Sequence, residues 1–398
     1  MTTFDTSSVN KRSPHLLVID RGLFERGMLT IEQARDSWGW NIVDIATVGE
    51  ASEVEVRKLI QRVPTSILAV GGGTTLDVAK LAGWIGDDEV RLRDAFRSVH
   101  EPYRILPDAP PRCPVVATAT TFGTGAENNR KVSIRNGSAN LVMYSSRGLR
   151  PRQSGLWPQA LCELPASLVA AGLGEILFRL LGPALESHSD RNDETICGLL
   201  NEVLFGIAEF ARGRLDEASP HKLKTLQRMA GLGAQLHARG MFDISQPFVG
   251  LPWFLGRAVQ EMLPSVQKMD AILDAWVRLA YYFESDVRDA KYLSRWTQLR
   301  ERANMMQHHT MPQLPWSLVH LLFNIRKALR VDWCLVSRYP GVTSAVQSKF
   351  EKDWSELTEA DPRLCEGLSR VYQIHLRDIY MVGGEFDGER EGTEPGSF

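Results

Sequence analysis

The sequence predicts an N-terminal α/β domain followed by an all-α domain. Over the first 150 residues, short apolar runs alternate with segments of helical spacing, which is typical of parallel strands joined by crossover helices. After Pro165, long amphipathic segments follow one another, beginning with ASLVAAGLGEILFRLLGPALES. A chain of 398 residues accommodates two domains. We place the α/β domain at 1–155, the helical domain at 156–383 and an acidic, glycine-rich flexible tail at 384–398.

Four apolar runs and the segments between them give the elements of the first domain. The predicted strands are HLLVID (15–20), NIVDIATV (41–48), SILAV (66–70) and CPVVATAT (113–120). The predicted helices are TIEQARDSWGW (30–40), ASEVEVRKLIQRV (51–63) and TLDVAKLAGWIG (75–86). The second helix rests on the helical spacing of Val54, Val56, Leu59 and Val63. Because strands and helices alternate, the sheet is expected to be parallel.

Composition and charge narrow the classes of partner. The formal net charge is −2, so no overall field favours nucleic acid or an anionic membrane surface. The N-terminal segment lacks the apolar core of a signal peptide, and no uninterrupted run of 18 apolar residues occurs. The five cysteines include no CxxC pair, which disfavours a disulfide framework or a zinc ribbon. We expect a cytoplasmic protein with no nucleic-acid or membrane partner.

The stretch LAVGGGTTLDVAK (68–80) places three glycines between a strand and a helix. Backbone N–H groups at a helix N-terminus, together with the helix dipole, favour an anion. Gly71, Gly72 and Gly73 would let a phosphate approach the backbone, and Thr74 or Thr75 is suited to cap the helix. The pattern is neither a P-loop nor GxGxxG. A plain structural turn is the alternative interpretation.

Two further stretches favour a dinucleotide site. Asp20 follows an early strand, where a carboxylate can accept hydrogen bonds from a ribose and repel a 2′-phosphate. The loop ATATTFGTGAEN (117–128) follows a later strand and is rich in hydroxyls and glycine.

These stretches together resemble the iron-containing alcohol dehydrogenases. GGGTTLDVAK is similar to their GGGSxxDxAK motif, ATTFGTGAE to PTTAGTGSE, and VIDRG to VTDKG. LPASLVAAGLGEILFR resembles their LPxxLxAxxGxDALTH segment and also GLAEVIKYG of the related dehydroquinate synthases. The resemblance covers roughly residues 15–280. It implies a dehydroquinate synthase-like fold, in which a Rossmann-like dinucleotide-binding domain and a helical domain enclose NAD(P) in a cleft.

The resemblance also assigns cofactor-binding residues. The pyrophosphate would contact Gly71, Gly72, Gly73 and Thr74, with Asp77 supporting the loop. The nicotinamide side would contact Thr120, Thr121 and Thr124. Asp20 would favour NAD over NADP. The family's nicotinamide-side lysine would fall near Asn140 or Leu141, so that contact is not retained.

The family's metal-binding pattern is broken in the helical domain. The first ligand is retained as Glu175, but Arg179 stands where the alcohol dehydrogenases have histidine, and Phe178 stands where the synthases have a catalytic lysine. The later histidine positions fall on Trp253 and Arg257 and near Gln267 or Lys268. A guanidinium cannot bind a metal ion, so we expect no metal site. An unrelated site built from His188, His237, His308 and His309 is the weaker alternative.

The residues at the former metal position predict an anion site. Arg179, Arg257 and Lys268 would surround Glu175 and bind a carboxylate or a developing oxyanion. The proton acceptor would be Lys268 or Glu175. The alternative interpretation of Glu175 and Arg179 is an ordinary i,i+4 ion pair on a helix.

A hydroxyl group β to a carboxylate suits such a site, because oxidation gives a β-keto acid that loses CO₂ readily. The resemblance extends to a divergent branch associated with daptide-type peptides, where a C-terminal threonine becomes an aminoketone. We therefore expect a metal-independent, NAD-dependent oxidoreductase acting on a small-molecule or peptide carboxylate, with a leader-peptide recognition protein as partner. A dehydroquinate synthase-like cyclase and a non-catalytic NAD-binding paralogue acting with a partner protein are the alternatives. Since family members often assemble, a homo-oligomer is expected.

Overall fold

The computed structural model describes residues 15–330, with gaps at 31, 34–35, 37–40, 63–64, 98–102, 138–139, 187–189, 239–251, 254–255, 257–266, 282, 285–289 and 307–312. Two compact units, Met1–Leu161 and Cys162–Phe398, divide the chain. The predicted tail 384–398 lies outside the described residues.

The predicted domain boundary at 155/156 falls inside the last strand of the first unit. That strand, Gln153–Leu156, is hydrogen-bonded into the main sheet. The backbone N–H of Trp157 then donates to Ala119 O at 2.9 Å. The chain therefore stays attached to the sheet beyond residue 155, and the first unit ends at Leu161.

The described part of the first unit contains eight strands in two sheets. They are β1 (His15–Asp20), β2 (Ile42–Val48), β3 (Ile67–Gly71), β4 (Tyr103–Ile105), β5 (Val115–Ala119), β6 (Lys131–Asn136), β7 (Asn140–Ser145) and β8 (Gln153–Leu156). The main sheet has the order β2-β1-β3-β5-β8, and all its neighbouring strands are parallel. The four predicted strands and their parallel arrangement are therefore confirmed. Their carboxyl ends meet at one edge, where ligands of open α/β sheets bind.

The helices of this unit cover the sheet and complete its core. They are α1 (Arg21–Glu25), α2 (Glu53–Ile60), α3 (Gly73–Ile85), α4 (Glu89–Phe96) and α5 (Pro158–Cys162). Helix α3 is buried along most of its length, and Val78, Leu81 and Trp84 lie in the same apolar cluster as strand residues of β3 and β5. The predicted helix 30–40 lies largely outside the described residues.

One residue of the predicted helix pattern does not face the core. Val56 and Leu59 of α2 are buried, but Val54 is 57% exposed. Val54 precedes Val56 by two positions, so it lies roughly 200° around the helix from Val56, on the solvent side. Val63 lies outside the described residues.

The second sheet was not predicted from the sequence. It has the order β4-β7-β6, with β4 parallel and β6 antiparallel to β7. In β6, Val132 and Ile134 are buried, while Lys131 and Ser133 are half-buried and Arg135 is exposed. This period of two is the signal typical of a strand with one covered face.

The described part of the second unit is helical, as predicted. Its helices are α6 (Ala166–Glu186), α7 (Asp190–Ala211), α8 (Pro220–Ala238), α9 (Lys268–Tyr281), α10 (Ala290–Met306) and α11 (Leu318–Ala328). Helix α6 is central to the core, and its Phe178 stacks on Trp276 of α9 at 6.0 Å between ring centroids. By length and composition, α6 is the one described helix that could cross a membrane, but 89% of its apolar window is buried in the protein. Burial of this kind is typical of a core helix.

Candidate functional site

The three glycines form the junction between β3 and α3. Strand β3 ends at Gly71, and Gly72 is the N-cap of α3 with an extended backbone. No described side chain caps the helix, so a capping oxygen does not occupy the N–H groups of its first turn. The predicted cap by Thr74 or Thr75 is therefore wrong. Thr75 is fully buried and packs against Gly71, where an added Cβ would lie 2.6 Å from the Thr75 Cβ.

The threonine-rich loop lies directly against this helix N-terminus. A Cβ added to Gly72 would lie 3.3 Å from Thr121 Oγ1, and one added to Gly73 would lie 3.4 Å from Thr124 Oγ1. The backbone N–H of Thr120 donates to Gly71 O at 3.0 Å, which ties the two loops together. The structure therefore brings together the two predicted halves of the cofactor site. Thr74 is exposed at the start of α3.

A buried lysine that the sequence analysis did not assign holds the second loop in place. Lys80 is 1% exposed, and its Nζ donates to Ala126 O at 2.9 Å, Asn129 Oδ1 at 2.9 Å and Lys131 O at 2.7 Å. These acceptors lie where the threonine-rich loop returns to β6. The signal was present in the motif itself, because GGGTTLDVAK ends in a lysine between apolar residues of the helix, Val78 and Ala79 before it and Leu81 and Ala82 after it.

Asp77 acts on the same segment rather than on the glycines. Its Oδ1 lies 3.0 Å from Lys80 Nζ, and its Oδ2 accepts a hydrogen bond from Ser133 N–H at 2.9 Å. Asp77 was expected to support the glycine loop. The contacts show instead that the Asp77–Lys80 pair fixes the end of the threonine-rich loop and β6 to α3.

Asp20 lies at the carboxyl end of β1, as predicted. Its Oδ1 accepts a hydrogen bond from Leu23 N–H at 3.2 Å and thereby caps the short helix α1. Its Oδ2 accepts no hydrogen bond from the described residues, and the side chain is half-buried. One carboxylate oxygen therefore remains available to a ligand at the same sheet edge as the glycines.

In the second unit, Glu175, Arg179 and Lys268 come together as predicted. Arg179 donates to Glu175 Oε1 from Nη2 at 2.6 Å and from Nε at 3.2 Å. Lys268 Nζ, from the first residue of α9, donates to the same oxygen at 3.3 Å. Oε2 of Glu175 accepts no hydrogen bond from the described residues. Two cations and one carboxylate leave this cluster with a net charge of about +1.

Trp253 completes this cluster, which we call the cation cluster: Glu175, Arg179, Trp253 and Lys268. The Arg179 guanidinium lies 4.9 Å from the Trp253 ring centroid, and Lys268 Nζ lies 4.5 Å from it. Both are cation–π distances. The side chain of Arg179 is 9% exposed and that of Lys268 is 47% exposed, so Lys268 is the more exposed of the two cations.

The charge state of Glu175 follows from these contacts. Burial by itself would raise the pKa of Glu175, but the positive charges of Lys268 and Arg179 outweigh it and hold this pKa below its usual range. The carboxylate is therefore ionised at neutral pH and is a weak base. This weighs against Glu175 as the proton acceptor, one of the two candidates from the sequence.

The side chains of the cation cluster do not fit a divalent metal ion. Zinc or iron(II) needs several imidazole, thiolate or carboxylate ligands within about 2.0–2.3 Å. Here Glu175 Oε1 is occupied by two cationic donors, and a metal ion would be repelled by both. Among the described residues, no group of three or more His, Cys, Asp or Glu side chains is placed to hold a metal.

Some predicted positions stay untested. Arg257 lies outside the described residues, as do His188, His308 and His309, and the side chain of His237 is not described. Asn140 and Leu141 lie in β7 and pair with Asn136 and Arg135 of β6, in the second sheet.

Comparison with known proteins bears on the first unit most directly. Residues 5–154 match the family model of the iron-containing alcohol dehydrogenases. The sequence of the first unit is therefore similar to the iron-containing alcohol dehydrogenases. A phosphonoacetaldehyde reductase from Streptomyces viridochromogenes is 31% identical over 121 residues, a match that spans 28% of this chain and 28% of the reductase.

Solved structures of dehydrogenases and reductases share the fold over nearly the whole chain. The NADH-dependent butanol dehydrogenase A of Thermotoga maritima superposes with a TM-score of 0.67 at 15% identity, covering 94% of this chain and 92% of that one. The sulfoacetaldehyde reductase of Bifidobacterium kashiwanohense, solved in complex with NAD+, superposes with a TM-score of 0.70 at 13% identity. The match covers 94% of this chain and 91% of the reductase. The predicted fold, a Rossmann-like α/β domain followed by an all-α domain, is therefore confirmed.

Proposed function

We propose that this protein is an NAD-dependent oxidoreductase that interconverts a hydroxyl and a carbonyl group on a substrate bearing an anionic group. The observation that carries the first part is the contact of Gly72 and Gly73 with Thr121 and Thr124. It forms a concave, uncapped helix N-terminus at the carboxyl edge of a parallel sheet, which suits a pyrophosphate. The matching family and the NAD-linked structural relatives support the same cofactor.

Different residues of the first unit would bind different parts of NAD. The N–H groups of Gly73 and Thr74 would bind the pyrophosphate, and Asp20 Oδ2 would accept a ribose hydroxyl. Thr121 and Thr124 border the same cradle, and Lys80 holds their loop in position. The nicotinamide supplies hydride acceptance or donation when bound.

The cation cluster supports the second part of the proposal. Lys268 is its accessible cation, and Glu175 and Arg179 fix its position. A carboxylate or another oxyanion would pair with Lys268, and Arg257 is the further cation that we propose for the same ligand. Two relatives are named for aldehydes that carry an anionic group, a phosphonate in one case and a sulfonate in the other.

We further propose that the reaction proceeds without a metal ion. The positive charge of Lys268 and Arg179 takes over the task of holding an oxygen ligand and stabilising developing negative charge. For a β-hydroxy acid, oxidation would pass the carbinol hydrogen as hydride to NAD and release the hydroxyl hydrogen as a proton to water. When the resulting β-keto acid loses CO₂, the electron pair of the broken bond stays on the substrate as an enolate, which takes a proton from water to give the ketone. A peptide ending in threonine, brought by a leader-peptide recognition protein, fits this chemistry.

The deciding experiment compares two substrates that differ only in charge. A short peptide ending in threonine with a free carboxylate is incubated with NAD, and absorbance is followed at 340 nm. The matched control is the same peptide with a C-terminal amide. We expect reduction of NAD only with the free acid, and Lys268→Ala should raise KM for the acid roughly tenfold or more, since hydrogen bonds to charged groups contribute 1.5–3 kcal/mol. Arg257→Ala should act in the same direction.

Other outcomes favour other functions. Equal turnover of acid and amide would refute recognition of the anion. If a substrate is consumed without any change in absorbance at 340 nm, the result would favour a cyclase that regenerates its cofactor in each turnover. NAD binding with no turnover of any hydroxy acid would favour the non-catalytic alternative.

A further inference from the structure

The side chain of Arg21 lies flat against the backbone of Gly49. A Cβ built on Gly49 would lie 2.8 Å from Arg21 Cζ, 2.9 Å from Nη1 and 3.1 Å from Nε. Because these three distances are nearly equal, the face of the guanidinium, rather than one edge, points at the glycine. A side chain at position 49 would therefore collide with the guanidinium and displace it.

A buried acid holds the edge of the same guanidinium. Arg21 Nη2 lies 3.8 Å from Glu55 Oε1, and Lys58 Nζ lies 2.8 Å from the same oxygen. The Glu55 side chain is 6% exposed, whereas that of Arg21 is 49% exposed. One face of the Arg21 guanidinium is thus covered by Gly49, one edge lies within ion-pair distance of Glu55, and about half of the side chain is exposed to solvent.

The position of this group on the sheet suggests a ligand. Arg21 follows Asp20 at the carboxyl end of β1, and Gly49 follows Val48 at the carboxyl end of the neighbouring strand β2. The glycine cradle begins at the end of β3, on the other side of β1. The three strand ends therefore place Arg21 beside the proposed ribose-binding acid, on the side away from the pyrophosphate.

We propose that Arg21 is the stacking platform for the adenine ring of the dinucleotide, and this inference rests on the proposed binding of NAD. A guanidinium stacks on aromatic rings, and a planar cation held on one face and one edge presents its other face without further ordering. Arg21 is assigned to the adenine ring and not to a 2′-phosphate because Asp20 precedes it in the chain. Oδ2 of Asp20 accepts no hydrogen bond from the described residues, and its negative charge would repel a phosphate. Gly49 contributes to this specificity, because a Cβ at position 49 would occupy the space of the flat guanidinium.

The test measures binding rather than turnover. Isothermal titration calorimetry is carried out with NAD, AMP and nicotinamide mononucleotide on the wild type and on Arg21→Ala. We expect Arg21→Ala to weaken NAD and AMP binding by about 2- to 30-fold, the range of a cation–π contact of 0.5–2 kcal/mol, and to leave nicotinamide mononucleotide unchanged. Arg26→Ala is the matched control, since Arg26 is an exposed arginine at the end of the same short helix and its side chain donates only to Gly22 O among the described residues.

A second variant separates stacking from loss of folding. Gly49→Ala needs no left-handed backbone and meets only the far end of a flexible side chain, so the fold should be retained while Arg21 is pushed aside. We expect Gly49→Ala to reproduce the loss of AMP affinity, and to have no further effect in the Arg21→Ala background, where nothing remains to displace. Unchanged thermal unfolding of both variants checks that folding is intact.

Three results would overturn the inference in distinguishable ways. Wild-type protein that binds neither NAD nor AMP would refute the proposed function together with the inference. If the wild type binds NAD and Arg21→Ala binds NAD and AMP with dissociation constants within twofold of the wild-type values, the inference alone would be refuted. Arg21 would instead be a phosphate ligand if Arg21→Lys kept the wild-type affinity and Arg21→Ala weakened the binding of NADP more than that of NAD.

Discussion

Replacing Lys80 with methionine is the sharpest test of how the cofactor site is held together. The substitution keeps the length and apolar stem of the side chain but removes an ammonium group that the structure buries completely. Ala126 O, Lys131 O and Asn129 Oδ1 would each lose a charged donor within 2.7–2.9 Å, and the carboxylate of Asp77 would lose its counter-ion.

The magnitude follows from burial. Removing one partner of a buried ion pair destabilises a protein by about 3–5 kcal/mol. Because the Asp77 side chain is 16% exposed and water can partly solvate its unpaired carboxylate, we expect a destabilisation at the lower end of this range. We expect Lys80→Met to lower the free energy of unfolding in urea by about 3 kcal/mol, a large part of the 5–15 kcal/mol of an ordinary domain. The double variant Asp77→Asn, Lys80→Met should lose less than the sum of the two single variants, because it leaves no unpaired charge.

Function provides a second measurement for the same variant. Since Lys80 positions the loop that carries Thr121 and Thr124, we expect weaker NAD binding at temperatures where Lys80→Met is still folded. A change in unfolding free energy below about 1 kcal/mol, with NAD affinity unaltered, would refute the role assigned to Lys80.

The remaining predictions concern the glycine cradle, Asp20 as the proposed ribose-binding acid, and the cation cluster. Gly72→Val should abolish NAD binding in calorimetry with little loss of stability, because the added side chain fills the space beside Thr121 Oγ1, 3.3 Å from the position of its Cβ; retained binding would contradict the cradle. Asp20→Ala should reduce the preference for NAD over NADP by about tenfold or more, if the carboxylate excludes a 2′-phosphate; an unchanged ratio of dissociation constants would remove Asp20 from the site. Glu175→Gln should be less stable than the wild type at neutral pH. The pKa of Glu175 is lowered in the folded protein, so the stabilisation by its ionised carboxylate is fully present above the unfolded-state pKa of about 4.3 and is lost as pH falls through the folded-state pKa. The difference in unfolding free energy between the wild type and Glu175→Gln should therefore shrink in acid. A difference that stays constant down to pH ~3 would contradict the assigned ionisation.

The parts of the fold predicted from sequence are those with local signals. HLLVID and SILAV are apolar runs of strand length, and GGGTTLDVAK combines a turn with a helix start. Strands β6 and β7 were not predicted; in β6, polar residues alternate with Val132 and Ile134, so no continuous apolar run marks the strand. The predicted domain boundary fell inside β8, because the hydrogen bond from Trp157 to Ala119 joins residues that are distant in the sequence.

The site was predictable where the resemblance fixed the positions. Lys268 lies 93 residues from Glu175 in the chain, yet its Nζ lies 3.3 Å from Glu175 Oε1, and only a family pattern could place these two residues together. Arg179 lies four residues after Glu175, so helix spacing already brings that pair together. The role of Lys80 was missed because its acceptors lie 46 to 51 residues away. The expected helix cap by Thr75 was wrong because tertiary packing against Gly71 uses that side chain.

The metal content of the purified protein tests the central claim most directly. Protein prepared without chelators and shown by calorimetry to bind NAD is analysed by inductively coupled plasma mass spectrometry. If cationic side chains have replaced the metal ion, zinc and iron together should stay below about 0.2 equivalents per chain. Near-stoichiometric zinc or iron, removed by chelators together with oxidoreductase activity, would contradict the account.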